Sequence, residues 1–220
     1  MRILAIDTGG DSCAVALYAD GKAIAETIIP TQRDQAKILA PLTAELLSTN
    51  TLTTQAIDRF AIATGPGSFT GLRVGLAFVR GLALANAKPA FGFDHFQITA
   101  HAIQTFYPQT KPVLIIRESK RADLFCAWLN ADHTIENYFL STAQDILEKL
   151  PADCLITGNG AAPLLALNPS LHMLDISDTR FMQSLAQLTQ RADPAQHSSP
   201  QPLYLREADV TAPKPLAHTA

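Results

Sequence analysis

Short apolar runs separated by turn residues open the chain. Residues 2–8 (RILAIDT), 13–19 (CAVALYA) and 22–29 (KAIAETII) are rich in Val, Ile, Leu and Ala, and Gly-Gly-Asp and Asp-Gly segments stand between them. Runs of this length, interrupted by Gly and Asp, are typical of β-strands joined by tight turns. The start of the chain therefore predicts an antiparallel meander.

Helices and strands alternate after the meander. Residues 34–48 carry apolar side chains at helical spacing, namely Ile38, Leu39, Leu42, Leu46 and Leu47. Pro41 lies inside this run, so it should kink the helix or mark its start. An apolar strand at 59–64, a Gly-rich loop, a helix at about 70–87 and a short strand near 89–92 follow. This order of elements is that of a ribonuclease-H-like lobe.

The second half of the chain also contains strands and helices, in a less regular order. Strands are predicted at 112–117, 123–129, 133–140 and 153–157, and helices at 142–149, 160–167 and 178–191. Two such lobes in tandem describe an α/β fold of the actin-like ATPase type, in which helices flank a mixed sheet in each lobe. We predict an N-terminal lobe at 1–105, a smaller C-terminal lobe at 106–193 and an extended Pro-rich tail at 194–220.

Composition and charge narrow the class of protein. Apolar residues make up 47% of the 220 residues, enough for a core. No window contains the roughly 18 uninterrupted apolar residues of a membrane span, and Asp7 interrupts the start where a signal peptide needs an apolar stretch. Domains that bind nucleic acid without a partner usually carry a net positive charge, whereas this chain has a net charge of −3. We expect a cytoplasmic protein whose contact with RNA requires a partner.

Cysteine and histidine positions argue against metal and disulfide chemistry. Cys13, Cys126 and Cys154 are odd in number and form no C-x-x-C pair, which favours a reducing compartment and burial in the core. The histidines include no pair at the i, i+4 spacing that places two imidazoles on one side of a helix. His95 and His101 are six residues apart and would face different ways. We expect no metal, no cofactor and no catalytic triad.

The most informative segment is Gly65–Gly75, which reads GPGSFTGLRVG. Gly-Pro-Gly after a buried strand predicts a tight turn, and free N–H groups at the start of the next helix could receive an anion. The spacing excludes a Walker loop, a dinucleotide fingerprint and a nucleophile elbow. Two interpretations stay open. The segment is an ordinary turn, or it is a nucleotide or phosphate loop formed by Asp7, Thr8, Gly65, Gly67, Ser68 and Thr70.

Small residues continue into the helix that follows. Gly71 and Gly75 are four residues apart and let another backbone approach, at a cost of roughly 0.5–1 kcal/mol for each Gly relative to Ala. Periodicity does not distinguish the sheet of the same lobe from another subunit as the close neighbour. If the neighbour is another subunit, this helix and the helix at 34–48 form a docking face that consists of Ile38, Leu42, Gly71, Leu72, Gly75, Leu76 and Val79.

Three segments resemble one known family. RILAIDT at the start, GPGSFTGLRVGLA followed by GLALA, and PLYLRE at 202–207 are similar to the TsaB family, also known as YeaZ. The resemblance implies an actin-like fold, a vestigial phosphate loop and a non-catalytic scaffold role in making threonylcarbamoyladenosine in tRNA. It also implies a TsaD-like catalytic paralogue, a TsaE-like ATPase and tRNA as partners, with the chain pairing as a homodimer when alone.

Departures and alternatives accompany this resemblance. Asp34-Gln35 stands where TsaB proteins often carry His-Ser or His-Thr, and Glu118-Ser119-Lys120 stands where Asp-Ala-Arg is common. TsaD-type proteins add a His-x-x-x-His metal pair, which this chain lacks. The competing hypothesis is an enzyme that acts alone, either a metallopeptidase or an actin-like ATPase that uses Asp7 and the Gly-rich loop. The peptidase needs a metal pair or nucleophile that the sequence does not offer, whereas the lobe pattern of the ATPase is present.

Overall fold

Two mixed β-sheets carry the fold in the computed structural model, which describes residues 1–31, 33–196 and 199–206. The strands of the first sheet are β1 (Arg2–Asp7), β2 (Ser12–Ala19), β3 (Lys22–Pro30), β4 (Arg59–Ala63) and β5 (Ala90–Phe93). Their order is β3-β2-β1-β4-β5, with β1 to β3 antiparallel and β4 and β5 parallel to β1. The predicted meander is confirmed.

Helices cover both faces of the first sheet. They are α1 (Gln35–Thr49), α2 (Phe69–Asn86), α3 (His95–Phe106) and α6 (Asp178–Arg191). On one face, α1 and α2 pack on Leu4 and Ile6 of β1, and on the other face α3 and α6 pack on Ile3 and Ala5. Burial on both faces explains why β1 is a continuous apolar run and does not alternate.

Two details of the predicted helices need correction. Helix α1 begins at Gln35 and runs through Pro41, which is exposed, so Pro41 does not mark the start of the helix. Helix α3 was not predicted at all. Its capping box is formed by Asp94 and Gln97, and the Asp-x-x-Gln spacing before an apolar run was the signal that could have revealed it.

The second sheet has the order β8-β7-β6-β9. Its strands are β6 (Val113–Glu118), β7 (Asp123–Leu129), β8 (Ile135–Thr142) and β9 (Leu155–Thr157), and its own helices are α4 (Ala143–Lys149) and α5 (Ala162–Leu167). Helices α4 and α5 cover one face, and α3 covers the other through Phe96, Ala100 and Ile103. Helix α3 is therefore shared, because it packs on both sheets.

Helix α6 follows the second sheet in the chain but packs on the first. Met182, Leu185 and Ala186 lie in one apolar cluster with Ile3 and Ala5 of β1. The lobe boundary at residues 105 and 106 stays a prediction, yet the packing of α6 differs from its predicted place in a lobe at 106–193. Among the described helices, none is long and apolar enough to span a bilayer.

Part of the predicted tail crosses between the two sheets. Residues 194–196 form a short 3-10 turn, and residues 199–206, here called the strap, contain no helix or strand. The N–H of Leu203 donates to the carbonyl oxygen of Thr64, 2.8 Å away at the end of β4, and Arg206 pairs with Asp123 of β7. The strap thus joins the first sheet to the second. Residues 207–220 of the predicted tail lie outside the described residues.

Candidate functional site

A buried ion pair stands where the chain leaves β1. His95, at the start of α3, is fully buried, and its Nε2 lies 3.2 Å from both carboxylate oxygens of Asp7. Its Nδ1 lies 2.7 Å from the carbonyl oxygen of Pro66, which can only accept, so Nδ1 carries a proton. Burial would raise the pKa of Asp7, but the charge and hydrogen bond of His95 outweigh it and lower that pKa. His95 is thus the internal counter-charge of Asp7.

The Gly-rich loop packs directly on the turn after β1. The N–H of Ser68 donates to the carbonyl oxygen of Gly9 at 2.8 Å, and the Ser68 hydroxyl accepts from the N–H of Gly71 at 3.2 Å. A Cβ on Gly67 would lie 2.1 Å from the oxygen of Gly9. The chain itself therefore uses N–H groups at the start of α2 that an anion would need. These contacts favour the interpretation of the segment as an ordinary turn.

The structure brings most of the predicted loop residues together. Asp7, Thr8, Gly65, Gly67 and Ser68 lie around the end of β1, whereas Thr70 is exposed on α2.

The residues predicted to form the docking face lie inside the first lobe. Gly71, Leu72, Gly75, Leu76 and Val79 are buried, Leu42 is buried on α1, and Ile38 packs against the same apolar cluster. A Cβ on Gly75 would lie 2.3 Å from Oγ1 of Thr8 and 2.9 Å from Cδ1 of Ile62. The close neighbour of the glycines is therefore the lobe's own sheet, which corrects the placement of these residues on an outer surface.

Other residues of α2 form its exposed side. We call Phe69, Arg73, Ala77, Gly81 and Leu84 the α2 outer face. Leu84 is 85% exposed, and a Cβ on Gly81 would have no neighbour within 4 Å. Apart from Arg73 this surface is apolar, and it has small residues at its centre.

A cluster of aromatic and cationic side chains lies at one end of the α2 outer face. The guanidinium of Arg73 lies 3.6 Å from the ring centroid of Phe69, and its Nε donates to the hydroxyl of Tyr204 at 3.3 Å. The rings of Phe69 and Tyr204 are 5.2 Å apart and both remain partly exposed. Tyr204 belongs to the strap, so a segment 131 residues further along the chain extends the α2 outer face.

A cleft of about 360 Å³ separates the two sheets. Asp7 and Arg117 lie on its walls, as do Asp11, Asp175 and Asp178, and an apolar side is formed by Ile28, Ile176 and Phe181. The Nε of Arg117 is buried at this cleft. No local pattern marks Arg117, Asp175 or Asp178, because the chain folds them together from separate elements. Within the described ranges, no group of His, Cys, Asp or Glu is placed to hold a metal ion.

The two departures from the family pattern have different structural roles. Lys120 forms ion pairs with Asp11 at 2.8 Å and with Glu118 at 2.9 Å, so it links the hairpin between β6 and β7 to the turn after β1. The hydrogen bond from Lys120 lowers the pKa of Asp11. At α1, the buried Gln35 donates to the carbonyl oxygen of Thr31 at 3.3 Å, and Asp34 precedes the helix without a side-chain capping bond.

The architecture defines the class of protein. Two mixed sheets flanked by helices, with a cleft between them and an Asp at the end of β1, form an actin-like ATPase fold. The structure of YeaZ from Pseudomonas aeruginosa has a TM-score of 0.71 at 21% identity and covers 93% of this chain and 99% of that one. The activator of the 2-hydroxyisocaproyl-CoA dehydratase from Clostridium difficile, solved with bound ADPNP, has a TM-score of 0.55 at 8% identity, covering 86% and 94%. Both share the fold.

Sequence comparison then identifies the family. The family model described as TsaD: tRNA N6-adenosine threonylcarbamoyltransferase matches residues 24–159. The tRNA threonylcarbamoyladenosine biosynthesis protein TsaB of Escherichia coli is 40% identical over 92 residues, 42% of this chain and 39% of that protein. TsaB of Haemophilus influenzae is 26% identical over 208 residues, 83% of this chain and 87% of that protein. The chain belongs to the family of this model and, within it, to the TsaB or YeaZ group.

Proposed function

We propose that this chain serves the formation of threonylcarbamoyladenosine in tRNA as a non-catalytic subunit that binds a TsaD-type transferase. The relatives named TsaB support the pathway, since they are named as threonylcarbamoyladenosine biosynthesis proteins. Residues 24–159 match a transferase family, which supports the view that this chain and such a partner share one fold.

One observation carries the non-catalytic part of the proposal. In actin-like ATPases, an Asp at the end of the first strand approaches a phosphate and its metal ion. Here Asp7 is held by the buried His95, and the turn after β1 is filled by Ser68 and Gly67 of the Gly-rich loop. A carboxylate that is already neutralised inside the protein attracts a metal ion less strongly, because its charge is compensated at short range.

The competing function, an actin-like ATPase that acts alone, makes the opposite forecast for nucleotide binding. A ligand at 100 times its dissociation constant raises the free energy of unfolding by about 2.7 kcal/mol. We expect that Mg²⁺ with ATP or ADP at millimolar concentration leaves the melting temperature of the isolated chain unchanged. A saturable rise in melting temperature, accompanied by ATP hydrolysis that Asp7→Asn abolishes, would favour the ATPase.

The α2 outer face is the surface that we propose for the partner. It combines an exposed Leu84, the small residues Ala77 and Gly81, and the cluster of Phe69, Arg73 and Tyr204. Aromatic residues and Arg dominate the binding energy of protein interfaces, and small residues let another helix approach closely. Because the partner shares this fold, the two helical faces can pair with approximate two-fold symmetry.

Other partners follow from the same arrangement. Two copies of this chain pair through the α2 outer face when the transferase is absent, since an isologous interface uses the same patch on both subunits. A TsaE-like ATPase and tRNA join through the complex and not through this subunit alone, whose net charge is −3. The cytoplasm, where tRNA is modified, is the proposed location.

A charge placed on this face tests the docking proposal. Leu84→Asp should weaken binding to a TsaD-type protein at least about tenfold, because a charge in the apolar centre of an interface is desolvated without a partner. Leu167→Asp is the matched control, since Leu167 is 59% exposed on α5, outside the α2 outer face. Isothermal titration with each variant gives the affinities. Equal affinities for both variants would contradict docking at α2, while failure of the wild-type chain to bind would contradict the partner itself.

A further inference from the structure

The cleft between the two sheets contains opposite charges that the fold leaves apart. Asp7 is paired with His95, and Asp11 is paired with Lys120. Arg117 and Asp178 face the same cleft, and each shifts the pKa of the other. Within the described part of the chain, the buried Nε of Arg117 has no hydrogen-bond acceptor. Among the described residues, no ion pair joins the guanidinium of Arg117 to the carboxylate of Asp178, although each charge favours the other.

Burial makes the unpartnered Nε of Arg117 costly unless something fills the cleft. Burial lowers the pKa of Arg117, against the opposing effect of Asp7, Asp11 and Asp178. Asp178 is an exposed residue, and the partial burial of its carboxyl together with the charge of Asp7 raises its pKa. Buried polar groups without partners are rare in folded proteins and commonly mark a place where a water, ion or ligand binds.

The charges around the cleft select the kind of ligand. A simple anion on Arg117 would lie near the carboxylates of Asp175 and Asp178, which repel it and which no cation of the described cleft wall besides Arg117 offsets. A simple cation near Asp175 and Asp178 would leave the guanidinium of Arg117 without an acceptor. A molecule with both charges satisfies both sides, provided that its positive and negative groups are a few ångströms apart.

Size and wall chemistry agree with a small molecule. The cleft volume of about 360 Å³ lies within the usual range of small-molecule sites, about 300–1,000 Å³. Ile28, Ile176 and Phe181 line one side of it, so an apolar substituent has a surface to contact. Asp11, another residue of the cleft wall, is already paired with Lys120.

We propose that this cleft binds a small zwitterion of the α-amino acid type. Its carboxylate accepts hydrogen bonds from Arg117, its ammonium group donates to Asp175 and Asp178, and its side chain contacts Phe181. The planar guanidinium matches a carboxylate in two parallel hydrogen bonds, and an ammonium group offers three donors to the carboxylates. The inference rests on the cleft alone and does not depend on the role in tRNA modification.

A titration with free amino acids tests the proposal on the full chain. We expect at least one standard L-amino acid to give saturable binding, with a dissociation constant at or below about 1 mM, by isothermal titration or NMR. The matched amine that lacks its carboxylate and the matched acid that lacks its ammonium should each bind at least about tenfold more weakly. Absence of saturation for every amino acid, or equal binding of the acid, would overturn the proposal.

Two substitutions locate the site. Arg117→Met and Asp178→Asn should each weaken amino-acid binding at least about tenfold, the effect expected from a lost charge-assisted hydrogen bond. Arg2→Met and Asp145→Asn are the controls, because Arg2 is exposed at the other end of β1 and Asp145 lies in the first turn of α4, away from the cleft. If a control variant loses as much amino-acid affinity as its cleft variant, the proposed location of the binding site is overturned. If Arg117→Met does not fold, Asp178→Asn and the matched analogues decide the outcome.

Discussion

Gly75 and Gly81 occupy the same helix but different environments, and replacing each with Ala separates packing inside the lobe from packing against a partner. A Cβ on Gly75 would lie 2.3 Å from Oγ1 of Thr8, which is fully buried. The same atom on Gly81 would have no neighbour within 4 Å. The two substitutions add the same methyl group at positions six residues apart, so only the surroundings differ.

The expected effects have opposite signs. Gly75→Ala forces Thr8 and Ile62 to move, and Thr8 is held by a hydrogen bond of 2.8 Å to the carbonyl oxygen of Gly71. Overpacking of this kind lowers the free energy of unfolding by about 1–3 kcal/mol. Gly81→Ala raises it by about 0.5–1 kcal/mol, because Ala is the better helix former and nothing is displaced.

Urea unfolding followed by circular dichroism measures both free energies, and thermal melts provide a second reading. For a chain of this size, each kcal/mol corresponds to about 2–4 °C in melting temperature. A Gly75→Ala variant as stable as the wild type, with weaker binding to the transferase, would refute the packing of α2 on its own sheet. It would return Gly75 to the docking face that the sequence predicted. The opposite ranking of the two variants would refute the close approach at Gly75.

Three further predictions concern charge and metal. Because the pKa of Asp7 is lowered on folding, Asp7 stabilises the fold above its unfolded pKa of about 3.9. This stabilisation is lost as the pH falls towards the lower folded pKa. In urea titrations, the stability difference between wild type and Asp7→Asn should therefore shrink below about pH 4. A difference that stays constant or grows with acid would contradict the ion pair with His95. The isolated chain should bind tRNA no more tightly than about 10⁻⁶ M at physiological salt, because its net charge is −3, and a filter-binding constant in the nanomolar range would contradict this. Elemental analysis of the purified protein should find no stoichiometric zinc or iron, whereas one metal per chain would reopen the enzyme hypothesis.

The sequence alone was sufficient to predict the strands, five of the described α-helices and the family. Apolar runs bounded by Gly and Asp encode β1 to β3 locally, and helical spacing encodes α1 and α2. Helix α3 was missed because its polar residues do not mark an exposed face: His95, Thr99 and His101 are buried along with its apolar residues, since the helix packs on both sheets. The sequence also predicted that Gly71 and Gly75 meet another backbone, because a Gly inside a helix costs stability that only a close contact offsets.

Only the tertiary structure decided what each of these residues contacts. The close neighbours of Gly75 are Thr8, which directly follows β1, and Ile62 of β4, so the glycines pack inside the lobe and leave Ala77, Gly81 and Leu84 outside. His95 was considered only as a metal ligand, but folding places it against Asp7. Arg117 and Asp178 come from β6 and α6 and share a cleft only because the second sheet folds against the first. Local spacing carries no information about such pairs, because their proximity depends on how whole elements pack together.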